Sequence, residues 1–195
     1  MNRAFLVPLL LLSACKPPAA DDYVERARID RSSEGPSDPI DSPDTSRAIW
    51  AAASEGERLL YGNPGERPFF AIECVTERAE PVIAYTRFAR ADPHAKAVLA
   101  LIGNSHVARF KIDAARIGDI WRWDGEAPAL DPRWDVLTGT REVEATVPGA
   151  GSVILNPSPL PGTLVEDCRA IAAPPSSEEA EDAEPIEPSP PEDPA

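Results

Sequence analysis

The stretch AVLALIGNSHVARFKI, residues 97–112, decides the fold class of this chain. Residues 97–102 are apolar at every position, as in a strand that is covered on both faces. Residues 108–112 instead alternate apolar and basic side chains, which is typical of a strand with one wet face. The pair Gly103-Asn104 between the two runs is a turn signal. The stretch therefore predicts two β-strands joined by a short connection.

The same strand patterns recur on both sides of this stretch. Residues 69–75 and 141–147 carry an apolar side chain at every second position, and residues 82–88 are largely apolar on both faces. Short runs of this kind, separated by turns about every ten residues, indicate an all-β sandwich or barrel. The sequence therefore predicts a mainly β fold with a single antiparallel β-sandwich or barrel-like domain. The turn signals are Ser54-Glu55-Gly56, Gly62-Asn63-Pro64-Gly65, Asp92-Pro93, Asp124-Gly125, Asp131-Pro132 and Pro148-Gly149-Ala150-Gly151.

One segment near the end departs from the period of two. Apolar side chains recur there at helical spacing, at Leu160, Leu164, Cys168 and Ile171. This spacing predicts a short C-terminal helix that closes the domain. The alternative is a last edge strand.

Composition separates a folded middle from two polar flanks. Residues 16–45 hold five prolines and eight acidic residues, and residues 173–195 hold seven prolines, eight acidic residues and no basic one. Such segments bury too little apolar surface to offset the entropy of ordering them. We therefore expect a disordered tether over residues 15–45, a globular domain over 46–172, and a disordered acidic tail over 173–195.

Charge and composition also exclude some functions. The formal net charge is −14, although residues 46–172 contribute only −3 of it. Nucleic-acid binders need a basic surface to displace counterions from phosphate, so this class is excluded. The chain has two His and three Cys, which leaves little material for a Cys/His metal cage, because its structural form needs four closely spaced ligands. No cofactor or metal is predicted.

The first residues predict export and a lipid anchor. Residues 1–14 contain one basic residue, Arg3, and a nine-residue apolar run, which is typical of a signal peptide and too short to span a bilayer. Leu12-Ser13-Ala14-Cys15 resembles the lipobox of bacterial lipoproteins. The resemblance implies cleavage before Cys15, acylation (palmitate) of that cysteine and membrane attachment in the cell envelope. Residue Lys16 follows the cysteine. In lipoproteins of this type an Asp at that position favours the inner membrane, so the outer membrane facing the periplasm is expected. The alternative to a lipoprotein is an ordinary secretory peptide that is cut after Ala19 or Ala20.

Lipidation of Cys15 leaves two cysteines in an oxidising compartment. We therefore expect a disulfide between Cys74 and Cys168. The alternative is two separate buried thiols.

Catalytic patterns are sparse. Ser105 and His106 are adjacent in sequence, so in a strand they point to opposite faces, and His94 lies in a turn. Glu142 and Glu144 share one strand face and could flank a glycosidic bond or hold a cation. Further acidic residues follow one another without the spacing of a calcium loop, at Asp119, Asp124, Glu126, Asp131 and Asp135.

Trp121 and Trp123 are the most informative aromatic pair, because their spacing places both rings on one strand face. Exposed, they would form a stacking platform for sugars. Packed in the core or at its rim, they would only stabilise the fold, which is the commoner role of large aromatic residues.

These observations favour a non-enzymatic envelope lipoprotein whose β domain binds or supports another envelope component. The alternatives are a cell-wall glycan-binding module that uses Trp121 and Trp123, and a glycan hydrolase that uses the acidic residues.

Overall fold

The computed structural model describes residues 35–54 and 57–174, and the chain from Ser37 onward forms one compact unit. Nine antiparallel strands form a single sheet, which curls into a nearly closed barrel. The predicted mainly β, barrel-like fold is therefore confirmed. The strands are β1 (Ile49–Ala52), β2 (Arg58–Gly62), β3 (Phe70–Val75), β4 (Val82–Arg90), β5 (Lys96–Gly103), β6 (His106–Ile117), β7 (Ile120–Pro128), β8 (Val143–Thr146) and β9 (Ser152–Leu155). A 3₁₀ helix, Pro132–Leu137, follows β7, and the α-helix α1, Leu160–Ala172, ends the domain.

The strand order is β1-β2-β3-β4-β7-β6-β5-β8-β9. β4 therefore pairs with β7 rather than with β5, and the hairpin of β5 and β6 continues the sheet beyond β7. A bulge between Arg87 and Arg90 interrupts the β4–β7 ladder and bends the sheet there.

The decisive stretch forms β5 and β6. Asn104 and Ser105 join them with φ angles of 50° and 65°, which a two-residue hairpin turn with positive φ at both centres requires. The expectation that residues 97–102 are covered on both faces is wrong. Val98 is 44% exposed and Ile102 48% exposed, because within the described residues no element packs on the outside of the barrel at β5.

Side-chain hydrogen bonds replace backbone hydrogen bonds beyond the end of the β6–β7 ladder. Backbone pairing between these strands covers only residues 113–117 and 120–124. Beyond it, the Tyr85 hydroxyl donates to the Lys111 carbonyl at 2.5 Å, and the Trp134 indole donates to the Pro128 carbonyl at 3.0 Å. Gly125 makes the first contact possible, because a Cβ there would lie 2.5 Å from the Tyr85 ring.

A second border lies between the two edges of the sheet, where β9 meets the β1–β2 hairpin, and it is also closed by side chains. We call it the β2–β9 seam, because the Tyr61 side chain of β2 reaches β9 there. The Tyr61 hydroxyl donates to the Ile154 carbonyl at 2.8 Å and accepts from the Asn156 amide at 2.9 Å. The Asn156 side chain donates in turn to the carbonyls of Thr45 and Ala48, each at 2.8 Å. Four hydrogen bonds that involve the Tyr61 and Asn156 side chains thus join the two edges of the sheet in place of a backbone ladder.

Helix α1 confirms the predicted C-terminal helix and lies across one end of the barrel, called the helix end. Its Cys168 is bonded to Cys74 of β3, in agreement with the predicted disulfide. The apolar periodicity predicted the helix correctly but did not predict which of its residues are buried, since Leu160 is 39% and Ile171 51% exposed. No helix among the described residues has the length and apolarity needed to cross a membrane.

The opposite end is called the Ser37 end, and the chain enters the domain there. Ser37 donates through its backbone and its hydroxyl to Asp92, at 2.9 and 2.6 Å. The Ile40 amide then donates to the Gly149 carbonyl at 2.9 Å, and the Ser42 hydroxyl accepts from Ser152. The sequence-based boundary at residue 46 is therefore too late, because residues 37–45 are held by polar contacts that an apolar pattern does not reveal.

Four predictions lie wholly or mainly outside the described residues. These are the signal peptide over 1–14, the lipobox ending at Cys15, the tether before residue 35, and the acidic tail after residue 174.

Candidate functional site

The interior of the barrel is filled with side chains, including one guanidinium. Arg87 is 3% exposed and donates to the carbonyls of Phe69 at 3.1 Å and Ala150 at 2.7 Å. Burial without a carboxylate partner lowers its pKa to about 10, so the side chain remains charged at neutral pH. Its Nε and the indole nitrogen of Trp123, on the paired residue of β7, are buried without a hydrogen-bond partner in the described part of the chain. Arg87 thus ties β4 to the β8–β9 connection at the Ser37 end.

The two tryptophans do not form an exposed pair. Trp123 is 6% exposed and packs inside the barrel, while Trp121 is half-buried at the Ser37 end with its ring centroid 4.9 Å from that of His94. The core-and-rim packing interpretation agrees with this burial. The sugar platform would need both rings on the surface.

The acidic residues from 119 to 135 do not gather in one loop. They lie along the β6–β7 hairpin, β7 and the 3₁₀ helix, and each carboxylate is paired with an arginine. The pairs are Asp119 with Arg116 (3.5 Å), Asp124 with Arg122 (2.9 Å), Glu126 with Arg78 (2.7 Å), Asp131 with Arg133 (2.5 Å) and Asp135 with Arg169 (2.8 Å). The hydrogen bond from Arg133 lowers the pKa of Asp131, as expected for a carboxylate held in its charged form. Their arrangement is that of separate ion pairs on the outside of the barrel.

Glu144 is also engaged, since it accepts from the hydroxyls of Ser152 at 2.8 Å and Thr146 at 3.1 Å. Glu142 precedes β8 and is exposed. Ser105 and His106 lie at the exposed β5–β6 turn. No group of three or more His, Cys, Asp or Glu side chains within the described ranges could hold a metal ion.

A shallow groove of about 350 Å³ crosses the outside of β2, β3, β4 and β7. Its floor is made of small residues, Ala84, Thr86 and Gly125, and its walls carry the Arg58–Glu73 and Arg122–Asp124 ion pairs. The walls therefore present both signs of charge to a ligand.

The turn between β6 and β7 also exposes apolar side chains. Ile117 is 46% and Ile120 62% exposed, on either side of Gly118 and Asp119. These four residues are called the tip. Sequence reasoning missed the tip because it treated this region as part of an acidic loop, although two isoleucines flanking a Gly-Asp turn are a visible signal.

Comparison with protein-family models, with curated proteins and with solved structures found no match to this chain.

Proposed function

We propose that this chain is an exported lipoprotein of the bacterial envelope, anchored through Cys15, whose barrel is a binding or structural module without catalytic activity. One observation carries the proposal. The chain has three cysteines, two are bonded to each other in the barrel, and the third ends the lipobox-like Leu12-Ser13-Ala14-Cys15. A disulfide suits an oxidising compartment, and a single remaining cysteine suits acylation.

The filled barrel and the paired carboxylates support a non-enzymatic role. Hydrolysis of a glycan needs two carboxyl groups facing one space, one of them protonated. The carboxylates of Glu126 and Asp131 instead face arginines, and that of Glu144 faces hydroxyls, on separate parts of the surface. A partner would meet the outside of the barrel, where the groove of β2, β3, β4 and β7 offers both signs of charge.

The expected location is the outer membrane, with the barrel in the periplasm, because Lys16 rather than Asp follows the cysteine. The partner is another envelope component, and the tether holds the barrel within reach of it.

Processing tests the anchor. Globomycin, which blocks lipoprotein signal peptidase, should cause a longer unprocessed form to accumulate, and mass spectrometry should find an acylated amino terminus at Cys15. Cys15→Ser should abolish acylation and release the protein from the membrane fraction. A mature amino terminus after Ala19 or Ala20, with no acyl group, would contradict the proposal.

Cell-wall sacculi test the lack of catalysis. The mature chain carrying Cys15→Ser should release no muropeptides from purified sacculi. Release that is lost in Glu144→Gln would establish a hydrolase. Co-sedimentation without release, lost in Trp121→Ala, would instead favour the glycan-binding alternative.

A further inference from the structure

The tip lies at the same end of the barrel as the entry of the chain. The backbone amide of Ala91 donates to the Trp121 carbonyl at 3.0 Å, and Asp92, the next residue, holds Ser37. The base of the tip and the point at which the tether meets the domain are therefore joined through two consecutive residues of the β4–β5 connection. Ile40, also at this end, is a third exposed isoleucine at 38%.

The C-terminal residues lie at the other end. Cys168 contacts the Val82 carbonyl, at the first residue of β4, whereas Asp92 follows the last residue of the same strand by two positions. β4 has nine residues, which corresponds to about 26 Å at the rise of an extended strand. The acidic tail thus leaves the domain from the helix end, away from the tip.

The length of chain between anchor and domain allows the Ser37 end to touch the membrane. Cys15 and Ser37 are 22 positions apart. A chain of this length spans at most about 75 Å even when fully extended. An acylated Cys15 would therefore hold the Ser37 end within that distance of the bilayer surface.

The chemistry of the tip fits a lipid surface better than a charged partner. Its single carboxylate, Asp119, is paired with Arg116 at 3.5 Å, so the tip has apolar side chains and nearly balanced charge. Trp121 stands at its base, and indole rings favour the membrane–water interface. Insertion of such a surface is driven by buried apolar area and depends little on salt.

We propose that the tip inserts into the headgroup region of the membrane that carries the lipid anchor, so that the barrel stands with its Ser37 end on the bilayer and its helix end pointing away. This orientation rests on the proposed lipid anchor. The contact itself is a property of the barrel and can be measured without the acyl chains.

Vesicle partitioning of the non-acylated protein tests the contact. The probe is the chain without its leader and with Cys15→Ser, mixed with vesicles of phosphatidylethanolamine and phosphatidylglycerol. Trp121 reports binding, because Trp50, Trp123 and Trp134 are each 7% exposed or less. We expect a blue shift of tryptophan emission that Trp121→Phe removes, and a partition coefficient that changes less than about twofold between low and high salt.

Matched double variants identify the surface. Ile117→Asn with Ile120→Asn should lower the partition coefficient at least about tenfold, as expected when the exposed parts of two aliphatic side chains no longer insert. Ile102→Asn with Val107→Asn removes two side chains that are 48% and 56% exposed on the β5–β6 hairpin, at the other end of β6. This control should change partitioning less than twofold.

Three results would overturn the proposal: no vesicle binding by the parent chain, equal losses in the two double variants, or binding that disappears at high salt. Failure of the anchor is distinguishable, because it appears as an unacylated amino terminus in cells while vesicle binding of the purified chain stays unchanged.

Discussion

Removing one oxygen atom from the β2–β9 seam should measurably weaken the barrel. Tyr61→Phe keeps the buried ring, which is 0% exposed, and deletes only the hydroxyl that contacts Ile154 and Asn156. The Ile154 carbonyl and the Asn156 amide then lose their partner in a part-buried position. Each of these two unsatisfied groups costs about 1 to 3 kcal/mol, so we expect the free energy of unfolding to fall by about 2 to 6 kcal/mol. For a domain of this size, at about 4 °C per kcal/mol, the corresponding fall in Tm is roughly 8 to 24 °C.

Urea unfolding followed by circular dichroism checks this value. The m-value should stay constant while the midpoint falls, because the surface exposed on unfolding is nearly unchanged. Tyr85→Phe is the matched control, since that hydroxyl contacts a single carbonyl, Lys111. Its loss should be about half as large. A loss below about 0.5 kcal/mol for Tyr61→Phe, or equal losses in the two variants, would refute the account of the seam.

Three further results are expected. Gly125→Ala should lower the free energy of unfolding by about 1 to 3 kcal/mol in the same urea assay, because the new Cβ would lie 2.5 Å from the Tyr85 ring; an unchanged midpoint would contradict this. Reducing the Cys74–Cys168 disulfide, which spans 94 positions, should cost roughly 4.5 kcal/mol, measured by unfolding with and without dithiothreitol; no shift would show that the bond is absent. Burial raises the pKa of Tyr61 and Tyr85 above the ordinary value of 10.0, so stability is fully present below pH 10 and is lost as the pH rises further. Urea midpoints between about pH 9 and 12 should therefore fall less steeply in Tyr61→Phe than in the parent chain, and parallel slopes would argue against it.

The strands were accessible to sequence reasoning wherever the signal is local. The β5–β6 hairpin is an example, since Asn at a turn tolerates positive φ and the flanking residues have strand patterns. The C-terminal helix is another, because its spacing of apolar residues has no counterpart in a strand.

The pairing of β4 with β7 was not accessible, because it depends on how distant segments pack. The same limit explains Arg87, whose charge indicates an outward position although it lies inside the barrel and binds two carbonyls from distant segments. It also explains why Trp121 and Trp123 share a face but differ in burial: the barrel end, and not the local spacing, decides how much of each ring is covered.

The sequence shows the apolar residues of the tip, but it does not show that the tip lies beside the point where the chain enters the domain. Two isoleucines around a Gly-Asp turn are ordinary in a hairpin. They become informative only when the Ser37 contact to Asp92 places the chain entry beside them.

The β2–β9 seam and the Tyr85 border divide the barrel into two halves. One half is β1-β2-β3-β4-β7 and the other is β6-β5-β8-β9, and a continuous ladder joins them only near the tip, between residues 113–117 and 120–124. Native-state openings follow the weakest connections, so the halves are expected to part along the seam and the Tyr85 border while the ladder near the tip stays closed. The hairpin that bears the tip is then the hinge of the barrel. A surface that rests on this hairpin would hold the hinge still and slow the exchange of amide protons on both sides of it.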